Sequence, residues 1–275
     1  MRVAVVGHVE WVEFARVERV PAPGEIVHAL DAWEEPAGGG AVASVQLAKL
    51  AGDATFFTAL GGDSLGWRAL EELRALGVRV EAVFRDEPQR RALTFVDRGG
   101  ERTITVIGDR MVPRRSDPLP WGELSGYDAV YFSGGDPDAV RAARAARVLV
   151  ATPRGLAALA GVGVELDALV GSGDDEGERY RPGDLVPPPR LVVRTAGAAG
   201  GTYAVRDGPS GAFPAAPLPG PVGDAYGCGD SFAAGLTFAL GAGEPVADAL
   251  ALAARCGAAC RTGRGAYAGQ LRLTG

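Results

Sequence analysis

Apolar residues in this chain come in short runs set off by glycine, and each run can be read for its period. Val3 to Val6, ending at Gly7, is an unbroken apolar stretch of strand length, which predicts a strand buried on both faces. Residues 13 to 34 differ. They are polar-interrupted and carry Pro21, Pro23 and Gly24, and Ile26 to Trp33 alternates loosely, as a half-exposed strand does. Gly38-Gly39-Gly40 precedes a helical run from Ala41 to Leu50 that Gly52 closes. Thr55 to Leu60 reads as a strand. Ser64 to Leu76 reads as a helix with Ser64 as N-cap, Gly77 as C-cap, and Leu70, Leu73 and Leu76 as its apolar stripe. Residues 80 to 107 hold three short strand patterns, among them Ala92 to Val96 and Thr103 to Ile107, with a hairpin turn at Arg98-Gly-Gly-Glu101.

From residue 128 strands and helical stretches alternate. The strands fall at Ala129 to Ser133, Val148 to Ala151, Ala168 to Val170 and Leu191 to Thr195. That alternation implies a parallel sheet covered by helices on both faces. Thr202 to Val205 and Gly211 to Pro214 form an expected antiparallel hairpin, and Asp224 to Leu240 and Pro245 to Arg261 a closing helical region. Two strand-rich segments, about 13–35 and 80–107, interrupt this order. The reading is a single α/β domain, 1–275, in which both segments build one small sheet outside the main one, placed to cover a pocket.

Composition narrows the partners. A formal net charge of −6 disfavours binding to a phosphate backbone, so nucleic acid is not expected as a partner. No apolar stretch is long enough to span a bilayer and no secretory segment opens the chain, so no membrane partner and a cytoplasmic location are expected. Lys49 is the only lysine, and no Gly-Lys-Ser/Thr triplet occurs, which excludes a Walker-type phosphate loop. The three cysteines are odd in number and fit no disulfide framework; Cys256 and Cys260, one helical turn apart, read as small core residues. Two histidines, His8 and His28, exclude a His-rich metal site. Gly7-His-Val-Glu-Trp-Val lacks the Gly-x-Gly-x-x-Gly turn of a dinucleotide-binding dehydrogenase.

The stretch with most chemistry is Gly223-Asp-Ala-Tyr-Gly-Cys-Gly-Asp230. Gly227, Cys228 and Gly229 stand at a helix start, where unpaired amides and the positive end of the dipole favour an anion. Asp230 follows in the first turn, where a carboxylate can take the proton of an attacking alcohol; the same residue can equally be a helix-capping acid. Asp224, six residues upstream, can order the loop or help hold a cation. Thr195-Ala-Gly197-Ala-Ala-Gly200 follows a buried strand, on the side of an open α/β sheet where ligands bind; it reads as a phosphate cradle or as a plain turn. Gly38 and Gly39 read as a close approach to a ligand or as a flexible helix entry. His8 and Glu10 lie past the first strand, as ligands to a substrate or as a strand-end polar pair. Trp11 and Trp33 are read as core or small-sheet packing, and Arg91 as a solvated charge.

Taken in order, these pieces resemble the ribokinase-like (PfkB-type) carbohydrate kinases over nearly the whole chain. Asp224-Ala-Tyr-Gly-Cys-Gly-Asp230 is similar to that family's Asp-Thr-x-Gly-Ala-Gly-Asp signature, Thr195-x-Gly-x-x-Gly200 to its nucleotide loop, and Gly38-Gly39 to its N-terminal di-glycine. Leu60-Gly-Gly-Asp63-x-x-Gly66, Gly100-Glu-Arg-Thr103 and Thr152-Pro-Arg154 resemble further family segments. The resemblance implies a three-layer ribokinase-like sandwich with a central, mostly parallel sheet and a small β-sheet lid. It implies transfer of the γ-phosphoryl group of ATP, with Mg²⁺, to a hydroxyl of a sugar or sugar-like alcohol, a monovalent cation being left open. It gives Asp230 the role of base, with Gly227, Cys228 and Gly229 as anion hole. Thr195, Gly197 and Gly200 fall on ATP, and Gly38 and Gly39 on the acceptor. Relatives that pair their lids imply a homodimer.

Departures fall mainly on the acceptor side. Val42-Ala43-Ser44 offers no Asn after the di-glycine. Glu10 and Glu13 stand where the family has an Asp after the first strand. Ser172-Gly-Asp-Asp175-Glu176 replaces Asn-x-x-Glu, leaving Asp175 as the metal-side candidate. Ordinary ribose or fructose is therefore not the expected acceptor. A nucleoside kinase of the same fold and a non-catalytic ligand sensor are the alternatives, the sensor disfavoured by the lack of a helix-turn-helix segment.

Overall fold

The computed structural model describes residues 1–273. Among them, thirteen strands and six α-helices follow one another. They are β1 (Val3–Val6), β2 (Glu10–Arg16), β3 (Asp31–Ala37), α1 (Gly39–Ala51), β4 (Ala54–Gly61), α2 (Ser64–Ala75), β5 (Val78–Arg85), β6 (Arg91–Val96), β7 (Arg102–Ile107), β8 (Ala129–Phe132), α3 (Pro137–Ala143), β9 (Val148–Ala151), α4 (Leu156–Leu159), β10 (Ala168–Ser172), β11 (Leu191–Thr195), β12 (Gly201–Val205), β13 (Ser210–Phe213), α5 (Cys228–Ala242) and α6 (Val246–Cys260).

The main sheet runs β13-β12-β11-β10-β9-β8-β1-β4-β5. Its strands from β11 to β5 pair in parallel, and β12 alone runs the opposite way, antiparallel to both β11 and β13. Alternation along β1 explains why an unbroken apolar run was needed there. Val3 and Val5 enter the core shared with α1, α5 and α6, while Ala4 and Val6 enter the core on the opposite face with Phe57, Trp121, Phe132 and Leu149. A strand apolar on both faces is what a covered parallel sheet requires.

The second sheet has the order β3-β2-β6-β7. Its composition differs from the sequence expectation at three places. β2 opens at Glu10, β3 covers Asp31–Ala37, and Ile26, expected in a strand, is 90% exposed on a loop. Val78–Arg85 belongs to the main sheet, paired in parallel with β4 from Ala54↔Val78 to Gly61↔Arg85. An apolar period identifies a strand but not the sheet that it joins. Trp11 is fully buried and Phe14 stacks on Trp33 with ring centroids 4.8 Å apart, so both tryptophans pack rather than face a ligand.

Helix ends follow from local chemistry. The N-cap of α2 is Asp63, not Ser64: its Oδ1 accepts from the Gly66 amide at 3.0 Å, and its Oδ2 accepts from the Gln89 amide at 3.1 Å. A carboxylate that satisfies two amides outcompetes a neighbouring hydroxyl. α5 begins only at Cys228, because Gly227 takes a left-handed φ of 75° and breaks the run from Asp224.

Candidate active site

The carboxyl ends of β1, β8, β9, β10 and β11 open on one edge, and the N-termini of α1 and α5 converge on it. Gly38, with φ 86°, precedes α1, and a Cβ built on Gly39 would lie 2.8 Å from Asp230 Oδ1 and 3.8 Å from His8 Cε1. Glycine at 39 is thus required by the nearness of the Asp230 carboxylate to the backbone. The Gly38 amide donates to Tyr226 Oη at 3.3 Å, tying the di-glycine to the loop before α5.

Asp230 is half-buried in the first turn of α5. Helix α5 has no side-chain cap, and among the described residues no amide donates to the Asp230 carboxylate. The capping alternative is therefore not realised. Burial raises its pKa to about 6; the Glu178 charge pushes the same way, while Arg102 and Arg154 pull it down. A carboxyl group poised there is matched to proton transfer near neutral pH. The amides of Cys228, Gly229 and Asp230 point out of the helix start with no partner among the described residues, a ready anion site.

Asp224 is fully buried beneath this loop. Its carboxylate accepts from the Tyr226 amide at 3.0 Å and the Gly265 amide at 2.7 Å, with Arg16 at 3.9 Å. Burial raises its pKa against those hydrogen bonds. Of its two expected roles, these contacts match ordering the loop. Cys228 Sγ faces the Asp224 carbonyl at 3.9 Å, and a hydrogen bond with the Cys260 thiol holds its pKa below the usual thiol value. Cys256 is buried, with its pKa pushed up to about 12.

The same loop grips the small sheet. The Ala225 amide donates to the Gly100 carbonyl at 2.9 Å. The Arg261 guanidinium donates to the carbonyls of Gly100 (2.6 Å) and Gly99 (3.2 Å) and to Glu101 (2.9 Å). The β6–β7 turn is thereby fixed beside the start of α5.

Thr195 ends β11, its carbonyl accepting from the Gly173 amide at 2.8 Å. The turn that follows needs Gly197 and Gly200 at φ 52° and 83°, and the Ala196 amide closes it on the Gly200 carbonyl at 2.8 Å. Gly200 abuts Phe213, whose ring stacks on Phe232 at 5.7 Å, two residues past Asp230. The glycine turn and the carboxylate thus share one packed support.

The acceptor and metal candidates separate. Glu10 is buried and reaches His8 (3.6 Å) and Arg90 (2.9 Å). Glu13 is exposed on β2 and pairs with Arg91 at 3.4 Å, away from this cluster. Asp175 pairs with Arg154 at the rim, while Glu178, which the sequence reading did not single out, accepts from the Ser172 amide at 2.6 Å and from Arg154 Nε at 2.8 Å. The carboxylates whose charge raises the Asp230 pKa are Glu178 and, less, Glu10, with no contribution from Asp175. Arg90 and Arg110 were also missed: lone arginines in loops carry no periodic signal.

If Asp230 is a base, it must be ionised to act, and its folded pKa lies above that of a free carboxyl. The acid limb of kcat/KM for any reaction at this site should therefore turn at about pH 6 and fall about tenfold per pH unit below it. A kcat/KM that stays flat from pH 8.5 down to pH 4.5 would remove Asp230 from that role.

A mostly parallel nine-stranded sheet with a separate four-stranded sheet over its ligand edge is the fold of the ribokinases. The ribokinase of Thermotoga maritima superposes with a TM-score of 0.77 at 19% identity, over 99% of this chain and 96% of that one. Arabidopsis thaliana ribokinase complexed with ribose and ATP gives 0.75 at 18% identity, over 98% and 96%. The Methanocaldococcus jannaschii nucleoside kinase gives 0.71 at 16%, over 98% and 95%. The chain belongs to the pfkB family of carbohydrate kinases, whose sequence model matches residues 1–156 and 165–272. Among curated proteins, a ribokinase of Dictyostelium discoideum is 30% identical over 108 residues, which is 38% of this chain and 34% of that protein. A ribokinase of Staphylococcus aureus is 28% identical over 110 residues, 39% and 36% of the two chains. The matched stretch thus spans about a third of each curated relative.

Proposed function

We propose that this protein transfers the γ-phosphoryl group of ATP to a hydroxyl of a small sugar-like alcohol. The observation that carries the reading is Asp230, a half-buried carboxyl with a pKa of about 6, set against both the open amides of α5 and the di-glycine of α1. The acceptor hydroxyl lies beside the Asp230 carboxylate at the di-glycine end of α1, and its oxygen attacks the γ-phosphorus in line. Asp230 takes the hydroxyl proton as the new P–O bond forms and the bond to the β-phosphate oxygen breaks, leaving ADP. The amides of residues 227–229 stabilise charge on the transferring group, and Thr195, Gly197 and Gly200 hold the nucleotide phosphates. The small sheet covers the pocket and keeps water from the γ-phosphate.

Among the described residues no cluster of three or more His, Cys, Asp or Glu side chains is built to hold a metal. The two carboxylates beside Arg154, Glu178 and Asp175, fit Mg²⁺, which keeps its waters and is bound through one or two carboxylates plus substrate phosphates. Glu178, with Asp175 at the rim, is the residue to order such an ion. Bound Mg²⁺ would neutralise phosphate charge during transfer.

No helix among the described residues is long and apolar enough to cross a membrane, in keeping with the cytoplasm as the place of action. A homodimer through the small sheet is supported by edge strand β7, exposed throughout and carrying Ile104, Val106 and Ile107. A monomer mass by light scattering would remove the dimer. The activity is tested by mass spectrometry of protein, Mg²⁺ and ATP with sugars, sugar acids, sugar phosphates, polyols and nucleosides. Absence of any phosphorylated acceptor would overturn the kinase reading.

A further inference from the structure

Four arginines stand around the pocket, and their charges are not equally matched. Arg90 pairs with Glu10 at 2.9 Å, and Arg154 with Glu178 and Asp175. Arg102 is exposed on β7, close enough for its charge to favour the ionised Asp230. Arg110 has no carboxylate partner among the described residues. It follows β7 and lies across the ends of three main-sheet strands, donating to the Ser133 carbonyl at 3.3 Å and the Arg154 carbonyl at 3.3 Å. Its Nη2 is 3.4 Å from His8 Nε2, and His8 in turn borders Gly38 and Gly39, the second of which abuts Asp230.

Four buried polar atoms here make no hydrogen bond: Arg110 Nε, His8 Nδ1, Ser133 Oγ and Arg90 Nε, the last held by its ion pair with Glu10 alone. Burial lowers the pKa of Arg110, with the like charges of Arg90 and Arg154 adding to the effect and Glu10 opposing it. His8, its pKa lowered to about 4 by burial and by Arg110, is neutral at physiological pH and adds no positive charge. A half-buried guanidinium with two like charges nearby and an idle donor carries a desolvation cost that a bound anion would offset.

We infer that the acceptor is itself an anion, a sugar-like alcohol whose carboxylate or phosphate group is bound by Arg110 with Arg90 beside it, at the end of the pocket across His8 from Asp230. The inference rests on the kinase reading for the word acceptor, but the anion subsite has its own readout in binding. It also accounts for the departures on this side of the site. Glu10 serves as counter-ion to Arg90, and no neutral amide stands after the di-glycine.

The test compares matched acceptors: an aldose, the corresponding aldonic acid and the corresponding sugar monophosphate, with wild type, Arg110→Gln and Arg110→Lys. The expected result is a kcat/KM at least 100-fold higher for one of the two anions than for the aldose, the carboxylate and phosphate arms telling which group is read. Arg110→Gln should lower that value about 100-fold, mainly through KM, leave the KM for ATP unchanged and bring the anion-to-neutral ratio near one, with Arg110→Lys in between. A wild type that prefers the aldose, with Arg110→Gln acting equally on all acceptors, overturns the inference and leaves the kinase reading intact. If nothing is phosphorylated, calorimetry with the same ligands decides. Binding of an anion by wild type and its loss in Arg110→Gln upholds the subsite without the kinase; no binding of either anion overturns it.

Discussion

Asp230→Asn should lower kcat by roughly 10²–10⁴-fold while ATP binding stays within a factor of about two. Asn keeps the size and shape of the side chain but accepts no proton. The same variant has a second consequence, which separates a base from a structural acid. The folded pKa of Asp230, about 6, lies above the unfolded value, so its ionised form is penalised in the native protein. A raised carboxyl pKa means that stability falls as pH rises from the unfolded pKa through about 6, and the full penalty is present above that. Asn carries no such penalty. Asp230→Asn should therefore unfold at higher temperature than wild type at pH 8, by the equivalent of roughly 2 kcal/mol, with the gap closing below about pH 4. A helix-capping aspartate would behave in the opposite way, losing stability on replacement. Thermal melts at the two pH values, set beside turnover, decide the matter.

Gly39→Ala is the second informative change. The new methyl would sit 2.8 Å from Asp230 Oδ1, too close for an unstrained contact. Alanine suits the first residue of a helix, and Gly39 does not occupy a left-handed conformation, so the backbone is not strained. The carboxylate is the movable partner and swings aside. That costs little folding stability but misplaces the base, and a shift on the order of 1 Å can cost about 10²-fold in rate. The expected outcome is a melting temperature within a few degrees of wild type and a kcat lowered about 100-fold. A kcat within threefold of wild type would mean that Asp230 does not need its present position. Gly40→Ala serves as contrast, since its Cβ would strike the His8 backbone rather than the base.

The parts of the site that were legible in the sequence share a property: their chemistry is written in a few consecutive residues. Gly227-Cys228-Gly229-Asp230 shows a helix start and a carboxylate in one stretch, and Thr195 to Gly200 shows a turn beyond a strand. The strands of the main sheet were legible because burial on both faces demands uninterrupted apolar runs. What could not be read depends on distant residues meeting. Val78–Arg85 looks the same whether it joins β4 or the small sheet; only the pairing with Ala54–Gly61 decides. Asp63 and Ser64 are both competent caps, and the extra amide of Gln89, supplied from another loop, settles the choice. Arg110 is one arginine among many, since the chain has 28 basic residues of which a single one is lysine. Its meaning arises only where the ends of β1, β8 and β9 lie side by side. Glu178 likewise stands outside the four-residue window in which a metal-side carboxylate was sought, and a short helical turn after β10 brings it back toward Asp230.

The grip of Arg261 and Ala225 on the Gly99–Gly100 turn bears on how the pocket can open. Three hydrogen bonds to backbone carbonyls, each worth about 1 kcal/mol net, hold that end of the small sheet down. Lifting the turn strips the Ala225 amide of its partner, so the cover and the phosphate-facing loop loosen as one unit. Under the kinase reading, a chain open to solvent would also have a slackened anion site, and ATP bound in that state would meet water with the groups that accelerate its hydrolysis out of register. On that reading, protection against wasteful turnover would lie in this shared grip rather than in a tight seal. Hydrogen exchange would register it as residues 99–102 and 223–229 exchanging with one common rate.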